Sequence, residues 1–253
     1  MNETPRKNAD LPVRVASAVV MVAVAGAALW LGGWGWALFV SAVGLGVLWE
    51  WWGLVRRFAP NGLSLLRWLT LGVIYIGGAV AFLIALRVMP GPGKLIVLPI
   101  VLSVISTDIG AYFAGRTFGG PKIAPKISPS KTWSGLLGGM LGAGTAFLLT
   151  VGGDCSRLDG SGVLPTLQEC LTDSFKTGDA WHLLAIGALL AVVAQGGDFF
   201  ESWMKRRAGV KDSGSLIPGH GGLFDRVDGL MAVCFATGLV SLVPYLLPYL
   251  GIL

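Results

Sequence analysis

Apolar runs of about twenty residues recur along the whole chain and alternate with short polar segments. A helix of that length crosses a hydrocarbon core of roughly 30 Å, whereas the buried helices of soluble domains are usually shorter. The pattern predicts an all-α fold, a polytopic transmembrane helical bundle of about seven spans, at residues 13–31, 35–55, 68–87, 95–115, 134–151, 182–199 and 229–250. Short or re-entrant helices would raise the number of helices to about nine.

The composition agrees with a membrane protein. Hydrophobic residues make up 54% of the 253 residues and charged residues only 13%, which is about half the charged fraction of an average soluble domain. The first apolar run, residues 11–31, is longer than the hydrophobic region of a signal peptide, and another span follows it at once. We therefore expect this run to be retained in the mature protein.

The basic residues fall mainly on one side of the predicted bundle. With a cytoplasmic N-terminus, 15 of the 19 Lys and Arg residues are cytoplasmic, and only Arg87, Lys94, Arg157 and Lys176 are not. Positive residues concentrate on the cytoplasmic side of membrane proteins, so this distribution predicts a cytoplasmic N-terminus. Basic residues on that side face anionic lipid, which explains the net charge of +5. We therefore expect no nucleic-acid partner.

Two of the three cysteines, Cys155 and Cys170, fall in a predicted outer loop. An oxidising compartment would allow them to form a disulfide, although two ordinary thiols fit the sequence equally well.

Four carboxylates stand at the cytoplasmic ends of three predicted spans. Asp108 lies in the fourth span, Asp198 at the end of the sixth, and Asp225 and Asp228 at the start of the seventh. Ionisable groups are costly within a membrane and usually have a function there. Because these span ends share one membrane depth, we expect the four side chains to converge. Glu50, near the inner end of the second span, is interpreted instead as a side chain that reaches the interface.

Two cytoplasmic loops, 116–133 and 200–228, hold nine of the 15 cytoplasmic basic residues, together with Ser, Thr and Gly. Carboxylates that bind a hard cation, basic side chains that neutralise phosphate and glycines that expose backbone amides are what phosphoryl-group transfer requires. The sequence contains no P-loop, no zinc-ligating cluster and no GxSxG elbow. We divide the chain into an N-terminal transmembrane region, residues 1–90, and a C-terminal catalytic transmembrane region, residues 91–253, that carries both loops.

The stretch Ser202–Asp228 reads SWMKRRAGVKDSGSLIPGHGGLFDRVD and resembles the signature of the CDP-diacylglycerol synthases, also called phosphatidate cytidylyltransferases. The stretches DIGAYFAGRTFG and SPSKTWSG are similar to the family's DTGAYFAGR and SPxKTxEG elements. Ser134 stands where the family usually has Glu, and Ile109 replaces a small polar residue. The resemblance covers about residues 95–235.

The resemblance implies transfer of a cytidylyl group from CTP to phosphatidic acid, which gives CDP-diacylglycerol and pyrophosphate. It implies Mg²⁺ as the cofactor, and an active site that faces the cytoplasm from a bacterial inner membrane. The expected metal ligands are Asp198, Asp225 and Asp228, which act in catalysis with Lys205, Lys211 and Arg226. The expected substrate-binding residues are Asp108, Lys131, Thr132, Ser202, Arg206, Asp212, His220, Gly221 and Gly222. A second cation and a homodimer are left open.

Two other functions remain as alternatives. A CTP-dependent polyprenol or phytol kinase would use the same membrane face but would transfer the γ-phosphoryl group. An ion-coupled membrane transporter would use the intramembrane carboxylates as a relay. Transport predicts charges near the midplane of two repeated halves, whereas this chain concentrates charge at one face and shows no repeat.

Overall fold

The structure is a computed structural model and describes residues 11–88, 93–152, 167–217, 219 and 221–246. The described elements are, in chain order, α1 (Leu11–Leu31), α2 (Gly33–Phe58), α3 (Gly62–Val88), α4 (Gly93–Phe118), β1 (Lys122–Ala124), β2 (Ser128–Thr132), α5 (Trp133–Phe147), α6 (Leu167–Thr177), α7 (Asp179–Arg207) and α8 (Phe224–Leu246). A short π-helical turn, Leu148–Gly152, extends α5. The pairing predicted for Cys155 and Cys170 lies outside the described residues.

The predicted polytopic bundle is confirmed. Among the described residues, α2, α3, α4, α7, α8 and α5 with its π-helical extension are long and apolar enough to cross a membrane, and α1 adds the shorter apolar stretch Val15–Leu31. These seven helices correspond to the seven predicted spans, and α6 is an additional short helix. The chain is therefore an integral membrane protein, while a cytoplasmic N-terminus stays a prediction.

The turn between α2 and α3 shows how the sequence ends one span and begins the next. Arg56 and Arg57 occupy the last turn of α2, where positive charge is favourable to the helix dipole, and Pro60 cannot continue a helix. Asn61 then accepts a hydrogen bond from the Ser64 amide at 2.8 Å, which caps the start of α3. The two helices are therefore neighbours joined by a tight connection.

Loop 116–133 contains an antiparallel hairpin of β1 and β2 that hydrophobic periodicity did not predict. Its last residue, Thr132, accepts a hydrogen bond from the Gly135 amide at 3.1 Å and so caps α5. At the turn of the hairpin, the Ile127 carbonyl accepts a hydrogen bond from Arg206 at the end of α7, with a donor–acceptor distance of 3.4 Å. The hairpin therefore bridges α5 and α7 beside the predicted site.

Helices α4 and α5 pack at close range through small residues. Gly138 and Gly142 of α5 stand at GxxxG spacing, which lets helices approach closely. A Cβ added at Gly142 would lie 2.6 Å from the Ser106 carbonyl oxygen, and one added at Gly138 would lie 2.6 Å from the Gly110 carbonyl oxygen. Both obstacles are backbone atoms of α4, which cannot rotate away. This contact fixes α4, and with it Asp108, against α5.

We expect Gly138→Ala to lower the free energy of unfolding by about 1–3 kcal/mol, because the added methyl overpacks the helix contact. The matched control is Gly77→Ala in α3, where an added Cβ meets no atom within 4 Å and alanine favours the helix. Unfolding of both variants in detergent measures the difference. Equal stability of the two variants would contradict the close packing of α4 and α5.

One aromatic core joins the N-terminal and C-terminal regions. Trp51 of α2 is fully buried and packs against Trp68 and Tyr75 of α3, Phe200 of α7 and Phe224 of α8, with ring centroids 5.8–6.5 Å apart. Such ring pairs add to the stabilisation from apolar burial. The division at residue 90 stays a prediction, but α2 and α3 share this core with the helices that carry the predicted site.

Candidate active site

A cavity of about 250 Å³ lies between α4, α7 and α8. All four carboxylates that the sequence singled out line it: Asp108 from α4, Asp198 from α7, and Asp225 and Asp228 from the start of α8. The predicted convergence of these side chains is therefore observed. Their roles in catalysis stay predictions.

A close approach of α7 and α8 places Asp198 beside Asp228. A Cβ added at Gly197 would lie 2.7 Å from the Asp228 carbonyl oxygen, so the backbones nearly touch there. Asp108 lines the same cavity, so three of these carboxylates share one partly buried space. Like charges in a partly buried space repel one another, and a bound cation would relieve that repulsion.

Lys205 is held between two carboxylates in the wall of this cavity. Its Nζ lies 2.5 Å from an oxygen of Glu201, one helical turn earlier, and 2.5 Å from Asp225 Oδ1. Asp225 Oδ2 accepts hydrogen bonds from the Ser213 amide at 2.9 Å, the Ser213 hydroxyl at 2.8 Å and the Gly222 amide at 3.1 Å. The protein itself therefore occupies both oxygens of Asp225.

Residue 222 must be glycine for this arrangement to form. A Cβ added there would lie 2.6 Å from Asp225 Oδ2, in the space through which the Gly222 amide reaches the carboxylate. Gly222 therefore has a local structural role: it lets the loop backbone approach the first turn of α8.

Asp198 is held more loosely than Asp225. One oxygen forms an ion pair with Lys131 of β2, and Oδ1 accepts a hydrogen bond from Ser202 at 3.3 Å. The Asp198 side chain is 28% exposed, against 10% for Asp225. A cation can therefore replace the partners of Asp198 with less rearrangement than those of Asp225, and a substrate phosphate could take over Lys131.

The donors around the cavity fit Mg²⁺ as a shared ligand of protein and substrate. In the part of the chain that the structure describes, no three Asp, Glu, His or Cys side chains gather into a complete metal site. Mg²⁺ usually binds one or two carboxylates and completes its shell with water and substrate phosphate. Asp198 and Asp228 fit that arrangement. Asp225, also predicted as a ligand, already has both oxygens engaged, so the geometry favours the other two.

A second cavity of about 410 Å³ lies between α4, α5 and β2, and Asp108 lines both cavities. Its lining includes Arg116, Lys131, Thr132 and Gln195. Gln195 is only 4% exposed, and its side-chain nitrogen has no hydrogen-bond partner. A buried donor without a partner carries an energetic penalty, which a ligand oxygen in this cavity would remove.

The remaining predicted residues that the structure describes do not line either cavity. Arg206 is exposed at the end of α7, and Lys211 and Asp212 are exposed in the loop that follows. Gly221 has a φ of 82°, in the left-handed region that favours glycine, and forms the turn before α8. His220 lies outside the described residues, so its predicted contact with phosphate or nucleotide stays a prediction.

Sequence reasoning missed several polar residues around the site. The interpretation that Glu50 reaches the interface is wrong, because its side chain is buried and only 3% exposed; a lone charge within an apolar span was the available signal. Glu201 could have been inferred from its i,i+4 spacing to Lys205. Ser213 and Gln195 gave no comparable signal, because their contacts depend on how distant elements pack.

Comparison with known proteins gives consistent matches. Residues 58–243 match the model of the Cytidylyltransferase family, a range that contains every residue lining the two cavities. The chain is 34% identical to a phosphatidate cytidylyltransferase of Brucella melitensis, over 88% of this chain and 90% of that protein. It is also 34% identical to a phosphatidate cytidylyltransferase of Rickettsia bellii, over 89% of this chain and 88% of that protein.

Proposed function

The chain belongs to the cytidylyltransferase family, and from that premise we propose that it transfers a cytidylyl group from CTP to phosphatidic acid. The products are CDP-diacylglycerol and pyrophosphate. The observation that carries this proposal is the pair of adjoining cavities, one lined by four carboxylates and the other by basic and neutral donors, with Asp108 in both. Two phosphate-bearing substrates can meet there.

The smaller cavity suits the metal-bound triphosphate, and the larger cavity suits the phosphate of the lipid. Arg116, Lys131 and the unpaired donor of Gln195 give the larger cavity hydrogen-bond donors for phosphate oxygens. Tyr112 lines it and is 57% exposed, and the neighbouring Phe113 is 64% exposed. Exposed aromatic surface beside a phosphate site provides apolar contact for acyl chains.

The reaction is an in-line displacement at the α phosphorus of CTP. An oxygen of the lipid phosphate forms the new bond to that phosphorus, while the bond to the α–β bridging oxygen breaks and its electron pair leaves with pyrophosphate. Mg²⁺, which Asp198 and Asp228 would hold, supplies positive charge to the triphosphate. Arg226 lines the same cavity and is assigned to the departing pyrophosphate. Lys205, whose charge two carboxylates share, keeps Asp225 in place.

The cytoplasmic side of a bacterial inner membrane is the proposed location of this site. A lipid can enter from the bilayer and CTP from the cytoplasm, and the basic loops face the side that the positive-inside rule assigns to them. A homodimer and a second cation stay predictions.

Arg116→Gln is expected to raise the KM for phosphatidic acid about tenfold and to change the KM for CTP less than about twofold. The exposed guanidinium lies at the larger cavity, where it would form a charge-assisted hydrogen bond to the lipid phosphate. Arg57→Gln, at an exposed arginine outside both cavities, is the matched control. Both KM values are measured in mixed micelles. A larger change in the KM for CTP than in the KM for phosphatidic acid would contradict the assignment of the two cavities.

The proposed function is tested with purified protein, CTP, Mg²⁺ and micelles that contain either phosphatidic acid or a polyprenol. We expect the liponucleotide with phosphatidic acid and no phosphorylated product with the polyprenol. Phosphorylation of the polyprenol, without liponucleotide formation from phosphatidic acid, would overturn the proposal in favour of a lipid kinase.

A further inference from the structure

Glu50 is a buried carboxylate of α2 that binds the segment leading into α8. Its Oε1 accepts a hydrogen bond from the Leu223 amide at 2.9 Å, and its Oε2 accepts bonds from the Phe224 amide and the Ser213 hydroxyl, each at 2.8 Å. The position lies outside the residues 58–243 that match the family. Three donors from one loop and one helix start thus converge on a side chain from the N-terminal region.

The hydrogen bonds from these donors compensate the negative charge of Glu50. The ion pairs among the described residues join Lys131 to Asp198 and Lys205 to Glu201 and Asp225, and none of them includes Glu50. A carboxylate buried at the N-terminus of a helix is stabilised by the helix dipole and by the unpaired amides there. In this position the loop supplies three donors to Glu50, so Glu50 favours this loop conformation.

Ser213 links Glu50 to the wall of the smaller cavity. Its hydroxyl oxygen lies 2.8 Å from Glu50 Oε2 and 2.8 Å from Asp225 Oδ2. A hydroxyl has one proton to donate, so Ser213 donates to one of the two carboxylates at a time, and a change at either alters its contact with the other. Asp225 in turn binds Lys205 at 2.5 Å. A continuous chain of contacts therefore runs from α2 to Lys205.

We propose that Glu50 is a positioning residue, which sets the placement of Asp225 and Lys205 by anchoring Ser213 and the start of α8. The proposal rests on the proposed function for its kinetic readout. It gives the N-terminal region a specific contribution: α2 completes the active site from outside it, without touching substrate. The loop backbone lies directly against the carboxylate, because a Cβ added at Gly214 would lie 2.6 Å from Glu50 Cδ.

The test compares Glu50→Gln, Ser213→Ala and the double variant. Glu50→Gln is expected to lower kcat about 10- to 100-fold, as loss of an outer orienting partner does at metal sites. The KM for phosphatidic acid should change less than about twofold, because Glu50 does not contact the larger cavity. If Glu50 acts through Ser213, the kcat of the double variant should be about as low as that of the worse single variant. Amide hydrogen exchange at residues 213–224 should quicken in Glu50→Gln.

The control is Trp36→Phe, which removes a different buried hydrogen bond of α2, from Trp36 Nε1 to the Leu83 carbonyl at 2.9 Å. We expect it to retain the wild-type kcat. Each of three results would overturn the proposal. Folded Glu50→Gln could keep the wild-type kcat, or Trp36→Phe could lose as much kcat as Glu50→Gln does. In the double variant, the fold-losses in kcat of the two single variants could multiply. If Glu50→Gln does not fold, an unchanged kcat in Ser213→Ala overturns it. Failure of the wild type to form liponucleotide would overturn the proposed function instead, and the hydrogen-exchange comparison would still test the anchoring.

Discussion

Replacement of Lys205 by Met is expected to destabilise the protein by about 3–5 kcal/mol, the typical loss when one partner of a buried ion pair is removed. Lys205 is the cation between Glu201, whose side chain is 1% exposed, and Asp225, at 10%. Without it two buried carboxylates face each other with no cation between them. We therefore expect turnover to fall below detection as the first turn of α8 shifts. Unfolding in detergent and CTP turnover measure the two effects.

A second substitution separates charge from packing in that prediction. Glu201→Gln in the Lys205→Met background removes one of the two facing negative charges and should recover part of the lost stability. Lys126→Met, at an exposed lysine in the turn of the hairpin, is the control and should change stability by less than about 0.5 kcal/mol. A Lys205→Met variant that is as stable as Lys126→Met would show that the buried charges are compensated in another way.

Asp198→Asn is expected to lower kcat at least about a hundredfold, the size typical of losing one electrostatic contact to a reacting group. Stability should change by less than about 1 kcal/mol, because partly exposed ion pairs contribute little. The Asp198 side chain is 28% exposed, and its partners are Lys131 and the Ser202 hydroxyl. Mn²⁺ binding in the presence of CTP, followed by electron paramagnetic resonance, should weaken in parallel.

The matched control for this prediction is Asp179→Asn at the opposite end of α7, where the side chain accepts an exposed hydrogen bond from Thr177. It should retain both turnover and Mn²⁺ binding. Asp225→Asn should behave differently from both, with a clear loss of stability, because four donors converge on that carboxylate. Near-normal turnover of Asp198→Asn at saturating Mg²⁺ would remove Asp198 from the metal site.

The helical bundle and the convergence of the carboxylates could be predicted because both depend on properties that are local in sequence. Span length follows from the thickness of the bilayer, and the shared depth of Asp108, Asp198 and Asp225 follows from where the apolar runs end. A close approach of another helix to α5 could also be predicted, because GxxxG spacing places small residues on one face of a helix, but the identity of that helix, α4, could not.

The contacts that organise the site could not be predicted, because they join residues far apart in sequence. Glu50 and Ser213 are 163 positions apart and meet only after α2 packs against α8. The strands of the hairpin before α5 are too short and polar to show the alternation of apolar and polar residues that indicates a β-strand. Sequence reasoning also treated Asp225 as an open metal ligand, because two of the groups that bind it are the backbone amides of Ser213 and Gly222. A residue's type does not reveal which acceptor its amide will bind after folding.

The most direct test of the proposed reaction is to identify which phosphorus atom of CTP is transferred to the lipid. Purified protein would be incubated with phosphatidic acid and Mg²⁺ in two parallel reactions, with CTP labelled at the α phosphorus in one and at the γ phosphorus in the other. We expect the α label in the lipid product and the γ label in pyrophosphate. Transfer of the γ label to lipid, with release of CDP, would contradict cytidylyl transfer.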